Sequence, residues 1–182
     1  MTVKTLERRQ IFKGKVVDLS VDRIELPDGR TTELEVIRHP GATAMVPLTA
    51  DGEVLLVRQY RYATGGWLLE VPAGKLDPGE PPDKCAAREL EEEVGHRPTE
   101  LIELGWIWTT PGFTDEKIWL YLARGLEPGA QDLQSDEVLT VESVPFNEAI
   151  EKVHRGEICD GKSVCALLRA ATYLEQSEAP LG

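Results

Sequence analysis

The sequence predicts an α/β sandwich around one core, and three features carry that expectation. Short apolar or alternating runs, each bounded by a turn signal, read as strands along much of the chain. One stretch near the middle sets good helix formers between a proline pair and a glycine. Two further helical stretches close the chain, so strands and helices interleave rather than separating into halves. At 182 residues and 20.2 kDa the chain is long enough for such a core, with ordinary hydrophobic (41%) and charged (29%) fractions.

Residues 1 to 40 read as an antiparallel β extension. Val16, Val17, Leu19, Val21 and Ile24 lie in an alternating run from Lys15 to Leu26. Pro27-Asp28-Gly29 is a turn, because proline presets φ and glycine tolerates positive φ, and Thr32 to Arg38 returns as the second arm. His39-Pro40-Gly41 breaks it. Residues 41 to 182 then form the main domain. Ala42 to Leu48 and Val54 to Tyr60 read as strands joined at Asp51-Gly52, a hairpin signal. Trp67 to Val71, Leu101 to Trp108, Ile118 to Ala123 and Val138 to Val144 read as further strands. Leu126 to Ser135 is a loop. Asn147 is the expected cap of a helix ending near His154, and a last helix spans roughly Lys162 to Glu175. The four tryptophans, at strand positions, read as core or interface residues, and none is assigned to a base pocket.

The central helix carries the chemistry. Pro81 and Pro82 suit its first turn, where a missing N–H costs nothing, and Gly95 suits a left-handed cap. At about 100° per residue, Ala87, Leu90 and Val94 form an apolar stripe. Glu89, Glu92 and Glu93 fall together on roughly the other side, with Arg88 four residues before Glu92. On its own such a run is more often a solvated acidic face. Alternatively, carboxylates that repel one another are held together by a hard divalent cation, Mg2+ or Mn2+.

The spacing decides between these readings. Gly74, five residues, Glu80, seven residues, Arg88-Glu89-Leu90, one residue, Glu92-Glu93, one residue, Gly95: this resembles the Nudix box at every fixed position. Only the last aliphatic position departs, being His96. The resemblance implies the Nudix α/β/α sandwich with a mixed sheet, in a chain whose first 40 residues look like the extension that pairs ADP-ribose pyrophosphatase-type members into homodimers. It implies Mg2+, with Mn2+ as substitute, held by Glu89, Glu92, Glu93, Glu137 and the carbonyl of Ala73, with Arg88 orienting the carboxylates.

Three further stretches resemble the ADP-ribose pyrophosphatase subgroup. Thr110-Pro111-Gly112-Phe113-Thr114-Asp115-Glu116 carries the subgroup proline, Pro111, and the acid at the Glu116 position that holds ribose hydroxyls there. Arg61, closing Arg58-Gln59-Tyr60-Arg61, matches a phosphate-binding arginine, and Arg38 a second. Ser135-Asp136-Glu137-Val138 matches a loop that supplies a metal ligand or general base: Glu137 aligns best, and Asp136 is the fallback. The implied reaction is hydrolysis of ADP-ribose to AMP and ribose 5-phosphate. Another nucleoside diphosphate sugar, or binding without cleavage, are the alternatives.

Composition excludes other classes. Twenty basic against 32 acidic side chains give a net charge of −12, which repels nucleic acid and anionic membranes. No apolar run approaches the ~20 residues needed to span a bilayer. The N-terminal MTVKTLERRQ lacks the apolar core of a signal peptide, so a cytoplasmic location is the expectation. Cys85, Cys159 and Cys165 are odd in number with no CxxC pair, which fits structural thiols in a reducing compartment. His39, His96 and His154 show no zinc spacing and read as structural or surface residues.

Overall fold

The structure, a computed structural model, describes residues 3–135 and 137–178. The chain divides into two compact units: Met1–Gly41 with Trp108–Lys117, and Ala42–Ile107 with Ile118–Gly182. The loop carrying Pro111 and Glu116 therefore clusters with the N-terminal strands.

The first unit is an antiparallel sheet in the order β1 (Lys4–Lys13), β2 (Asp18–Glu25), β3 (Thr31–Arg38). β1 begins well before the run that alternation marks out. Its register with β2 shifts between Thr5 and Glu7 and again between Gln10 and Phe12, so the side-chain period of two is interrupted. All ten of its residues are exposed, so no burial pattern is imprinted on its sequence. At the far end of the unit, Ile37 N–H donates to Phe113 O (2.8 Å) and Asp115 N–H to Ile37 O (3.3 Å), zipping residues 113–115 along the end of β3.

The second unit holds two sheets. One, antiparallel, runs β10 (Leu139–Pro145), β5 (Glu53–Arg61), β6 (Gly66–Glu70). The other runs β7 (Ala73–Lys75), β4 (Ala42–Pro47), β9 (Lys117–Pro128), β8 (His96–Trp108), with β4 and β9 parallel and β4 and β7 antiparallel. α1 (Pro82–Val94) follows β7, and α2 (Phe146–His154) and then α3 (Gly161–Glu178) follow β10. Every residue of β4 is buried, because both of its faces are covered. Ala44, Val46, Val54, Leu56, Ile118, Leu120 and Leu122 face a core completed by Ala149 of α2 and Ala166, Leu167 and Ala170 of α3. Their neighbours Met45, Leu55, Val57, Tyr121 and Ala123 face a second core with Ala86, Leu90 and Val94 of α1. Alternation along three strands thus feeds two cores, the signature of an α/β/α sandwich.

Several local expectations are corrected. The apolar stripe of α1 runs through Ala86 rather than the half-buried Ala87. Asn147 lies inside α2. The position before the helix is Pro145, and the first free amide, Phe146 N–H, is taken by Gly52 O at 3.0 Å, so no side-chain cap is used. Of the tryptophans read as core or interface residues, Trp67, Trp106 and Trp108 are exposed and so lie outside the core. β7 was not legible as a strand: it is three residues long and contains a glycine. Among the thiols Cys85 is buried, whereas Cys159 is exposed. Among the described residues no helix is long and apolar enough to cross a membrane.

Candidate active site

α1 enters from Pro81 and ends at Gly95, whose φ of 72° is the left-handed cap that glycine favours. Between them the helix buries two of its carboxylates. Glu89 is 4% exposed and Glu93 3%. Glu93 Oε2 accepts the Ala73 N–H at 2.9 Å. Burial pushes the Glu93 carboxyl up to about 8; the Ala73 N–H opposes this, and the charges of Glu89 and Glu137 add to it. Burial also raises Glu89, Arg88 pulls it back, and Glu92 and Glu137 push it further up. Glu137 is therefore within electrostatic range of both buried carboxylates. It also closes its own turn: its Oε2 accepts Gln134 N–H at 2.9 Å. Asp136 lies outside the described residues.

The backbone of β7 presses on this pair. A Cβ built on Gly74 would lie 1.8 Å from the Glu89 carboxyl carbon. Only glycine lets the strand approach that closely.

Arg88 is the hub of the helix face. Its Nε and Nη2 donate to the two oxygens of Glu80 at 2.9 and 2.8 Å. Its Nη1 donates to Glu89 Oε1 at 2.8 Å and Glu92 Oε2 at 3.0 Å. Nη2 also reaches Lys75 O at 3.2 Å. Glu80 in turn accepts Asp77 N–H at 3.0 Å, which fixes the loop entering the helix. Cys85, under this cluster, accepts from Thr43 Oγ1 at 3.4 Å, and burial pushes its thiol up to about 12, so it is an inert structural thiol.

The donor set fits a hard divalent cation. Two buried carboxylates that repel each other, a third beside them and a tightly apposed backbone supply oxygen ligands only. Among the described residues, no three acidic, imidazole or thiol side chains converge into a ready cage. Mg2+ does not require one, since it is held by one or two carboxylates together with water and substrate phosphate.

Arg61, at the end of β5, forks onto Glu70 at the end of β6, with Nε–Oε1 3.1 Å and Nη2–Oε2 2.7 Å. The Glu93 charge contributes to raising its pKa, after the dominant bond to Glu70 and against burial, so Arg61 stands within electrostatic range of Glu93.

The remaining expected residues lie in the first unit. Arg38 donates to Asp22 Oδ2 at 2.5 Å and Asp115 Oδ2 at 3.1 Å; its Nε is buried with no acceptor among the described residues. Glu116 accepts from Thr109 Oγ1 at 2.7 Å, and His39 Nε2 is 3.6 Å from its other oxygen. Pro111 is exposed, in a turn where Thr110 O accepts Phe113 N–H and Thr114 N–H. Glu89, Glu92, Glu93, Arg88, Arg61 and Glu137 thus share one unit, while Arg38, Pro111 and Glu116 share the other.

Sequence reasoning missed Glu70, Asp22 and Asp115 as the acids that hold the two arginines, and Gly74 as a contact. The available signal was a glutamate at the end of an apolar strand, in Trp67-Leu68-Leu69-Glu70-Val71. Arg88 lowers the Glu80 carboxyl to about 2. A carboxyl lowered on folding stabilises fully above its unfolded value and loses that contribution as pH falls through its folded value. The difference in unfolding free energy between wild type and Glu80→Gln is expected to be full above pH 4.5 and to vanish towards pH 2. Urea titrations across that range check it, and a difference independent of pH would refute it.

The NUDIX domain family matches residues 38–167. An ADP-ribose pyrophosphatase of Bacillus subtilis (strain 168) is 38% identical over 97% of this chain and 94% of its own length. A methanol dehydrogenase activator of Bacillus methanolicus is 41% identical over the same shares. A crystal structure of an ADP compounds hydrolase superposes with a TM-score of 0.85 at 22% identity, covering 98% of this chain and 97% of that one. With a buried, arginine-braced carboxylate helix at its centre and a family match over most of its length, this chain belongs to the NUDIX family.

Proposed function

We propose that the chain is a pyrophosphohydrolase that cleaves the diphosphate of ADP-ribose to AMP and ribose 5-phosphate. The observation that carries this reading is the pair of buried carboxylates on α1, Glu89 pressed by the Gly74 backbone and Glu93 within electrostatic range of Arg61. The substrate follows from the likeness to the Bacillus subtilis pyrophosphatase and from the Pro111–Glu116 stretch.

Glu89, Glu92, Glu93 and the Ala73 carbonyl would hold Mg2+, with Glu137 as a further ligand or as the base that takes the proton from the attacking water. The cation, when bound, neutralises the diphosphate and lowers the pKa of water. Arg88 keeps Glu89 and Glu92 oriented and is not a substrate contact, since its donors are taken up by carboxylates and Lys75 O. Arg61 meets phosphate oxygens with its remaining donors. Arg38, Pro111 and Glu116 are proposed as the substrate contacts of the first unit, with Glu116 accepting from ribose hydroxyls.

Glu93→Gln is expected to reduce AMP release by about 100-fold or more with the fold intact. The assay is product analysis in Mg2+ across ADP-ribose, ADP-glucose and GDP-mannose. Activity within about threefold of wild type would count against the assignment. Preference for a hexose conjugate would move the substrate, and steady binding without AMP release would favour a binding module. In the same assay Gly74→Ala should lose about tenfold or more by displacing Glu89, with unchanged circular dichroism. Full activity would refute the close approach.

We also propose a homodimer through residues 1–40. β1 exposes Leu6 (41%), Ile11 (46%) and Phe12 (57%), which a second copy would cover. Light scattering should give twice the 20.2 kDa chain mass. A monomer mass at micromolar concentration would dismiss this.

A further inference from the structure

Arg61 is a long side chain at a strand end, next to a 3-10 turn (Tyr62–Thr64). Left alone, such a side chain samples many rotamers, and a phosphate contact would have to freeze it. Here Glu70 already holds it in a two-point fork. Glu70 is 1% exposed, so its carboxylate is itself held only through its partners.

The second partner comes from another element. Lys162 Nζ donates to Glu70 Oε2 at 2.7 Å and to Asp160 Oδ2 at 2.8 Å. Asp160 precedes α3 and caps it, its Oδ2 accepting Ser163 N–H at 3.0 Å and Ser163 Oγ–H at 2.6 Å. Ser163 Oγ then accepts Val71 N–H at 2.9 Å. The start of α3 thus grips Glu70 by its side chain and Val71 by its backbone. Two residues later Ala73 N–H holds Glu93. One helix start therefore registers both the cation Arg61 and the carboxylate Glu93.

The charges matter as well as the geometry. Arg61 and Lys162 bind the same oxygen, Glu70 Oε2. Asp160 shares Lys162 in turn, so the four charges balance and Glu70 is held from two sides. Docking α3 would need no such half-buried lysine, because apolar packing would serve.

We propose that Lys162 and Asp160, at the start of α3, are positioning residues for Arg61, acting through Glu70 to fix the guanidinium for an anionic diphosphate. This rests on the reading of Arg61 as a phosphate contact, and the experiment separates the two.

The probe is ADP-ribose with a methylene in place of the bridging oxygen, titrated in Mg2+ by calorimetry, alongside kinetics with ADP-ribose. Lys162→Met is expected to weaken analogue binding and raise KM about tenfold, with a smaller change in kcat. Lys162→Arg should recover most of the loss. In an Arg61→Ala background, Lys162→Met should cost clearly less than it does alone, because the positioned group is gone and only the weaker pull of Lys162 on Glu93 remains. Should Lys162→Met fail to fold, Lys162→Gln, which keeps a donor and removes the charge, carries the same test. If Arg61→Ala weakens binding while the Lys162 variants stay within about twofold, the positioning role is overturned and the Arg61 contact stands. Additive losses in the double variant overturn it too, since they indicate a general structural effect. If Arg61→Ala binds normally, the phosphate reading of Arg61 itself fails.

Discussion

Burying Glu89 and Glu93 on one helix is the constraint around which the second unit is arranged. An ionised carboxylate taken out of water is strongly disfavoured unless donors or a cation compensate. The protein supplies the Ala73 N–H to Glu93 and Arg88 to Glu89. These do not balance burial for Glu93, whose carboxyl stays raised to about 8. A helix carrying that load must be anchored elsewhere. Ala86, Leu90 and Val94 bury its other flank against Met45, Leu55 and Tyr121, and Gly95 closes its end cleanly. Gly74 completes the arrangement, since any side chain there would occupy the Glu89 carboxyl.

How much of this was legible differs from element to element. α1 was readable because its signals are local: Pro81, Pro82 and Gly95 bound it, and its carboxylates recur at helical spacing. β4 was readable because a strand covered on both faces is continuously apolar. The burial of Glu89 and Glu93 was not readable from periodicity. A helical wheel assumes one covered face, whereas α1 is covered by the core and also by β7, which shifts the stripe to Ala86 and draws both glutamates in. β7 and β1 escaped for opposite reasons, one too short to show a period and the other broken by register shifts.

Partners distant in sequence were the least legible of all. The Arg61–Glu70 fork closes over a turn, and the Lys162–Glu70 contact spans 92 positions. Neither residue carries a local sign of its partner. Arg38 is similar: its acids, Asp22 and Asp115, come from an adjacent strand and from a loop 77 positions away. Arginine on a strand end can be a surface charge, a phosphate contact or half of an ion pair, and only the fold chooses.

The acceptors around each arginine make that choice. A guanidinium offers five N–H donors. Arg88 directs its donors to three carboxylates and the Lys75 carbonyl, and so works as a brace within the protein. Arg61 gives Nε and Nη2 to one carboxylate, which it also shares with Lys162. In a chain of net charge −12, an anionic substrate gains nothing from the overall field and depends on donors placed locally. The over-subscribed Arg88 has no donor to offer, whereas Arg61 commits only Nε and Nη2 to its fork with Glu70.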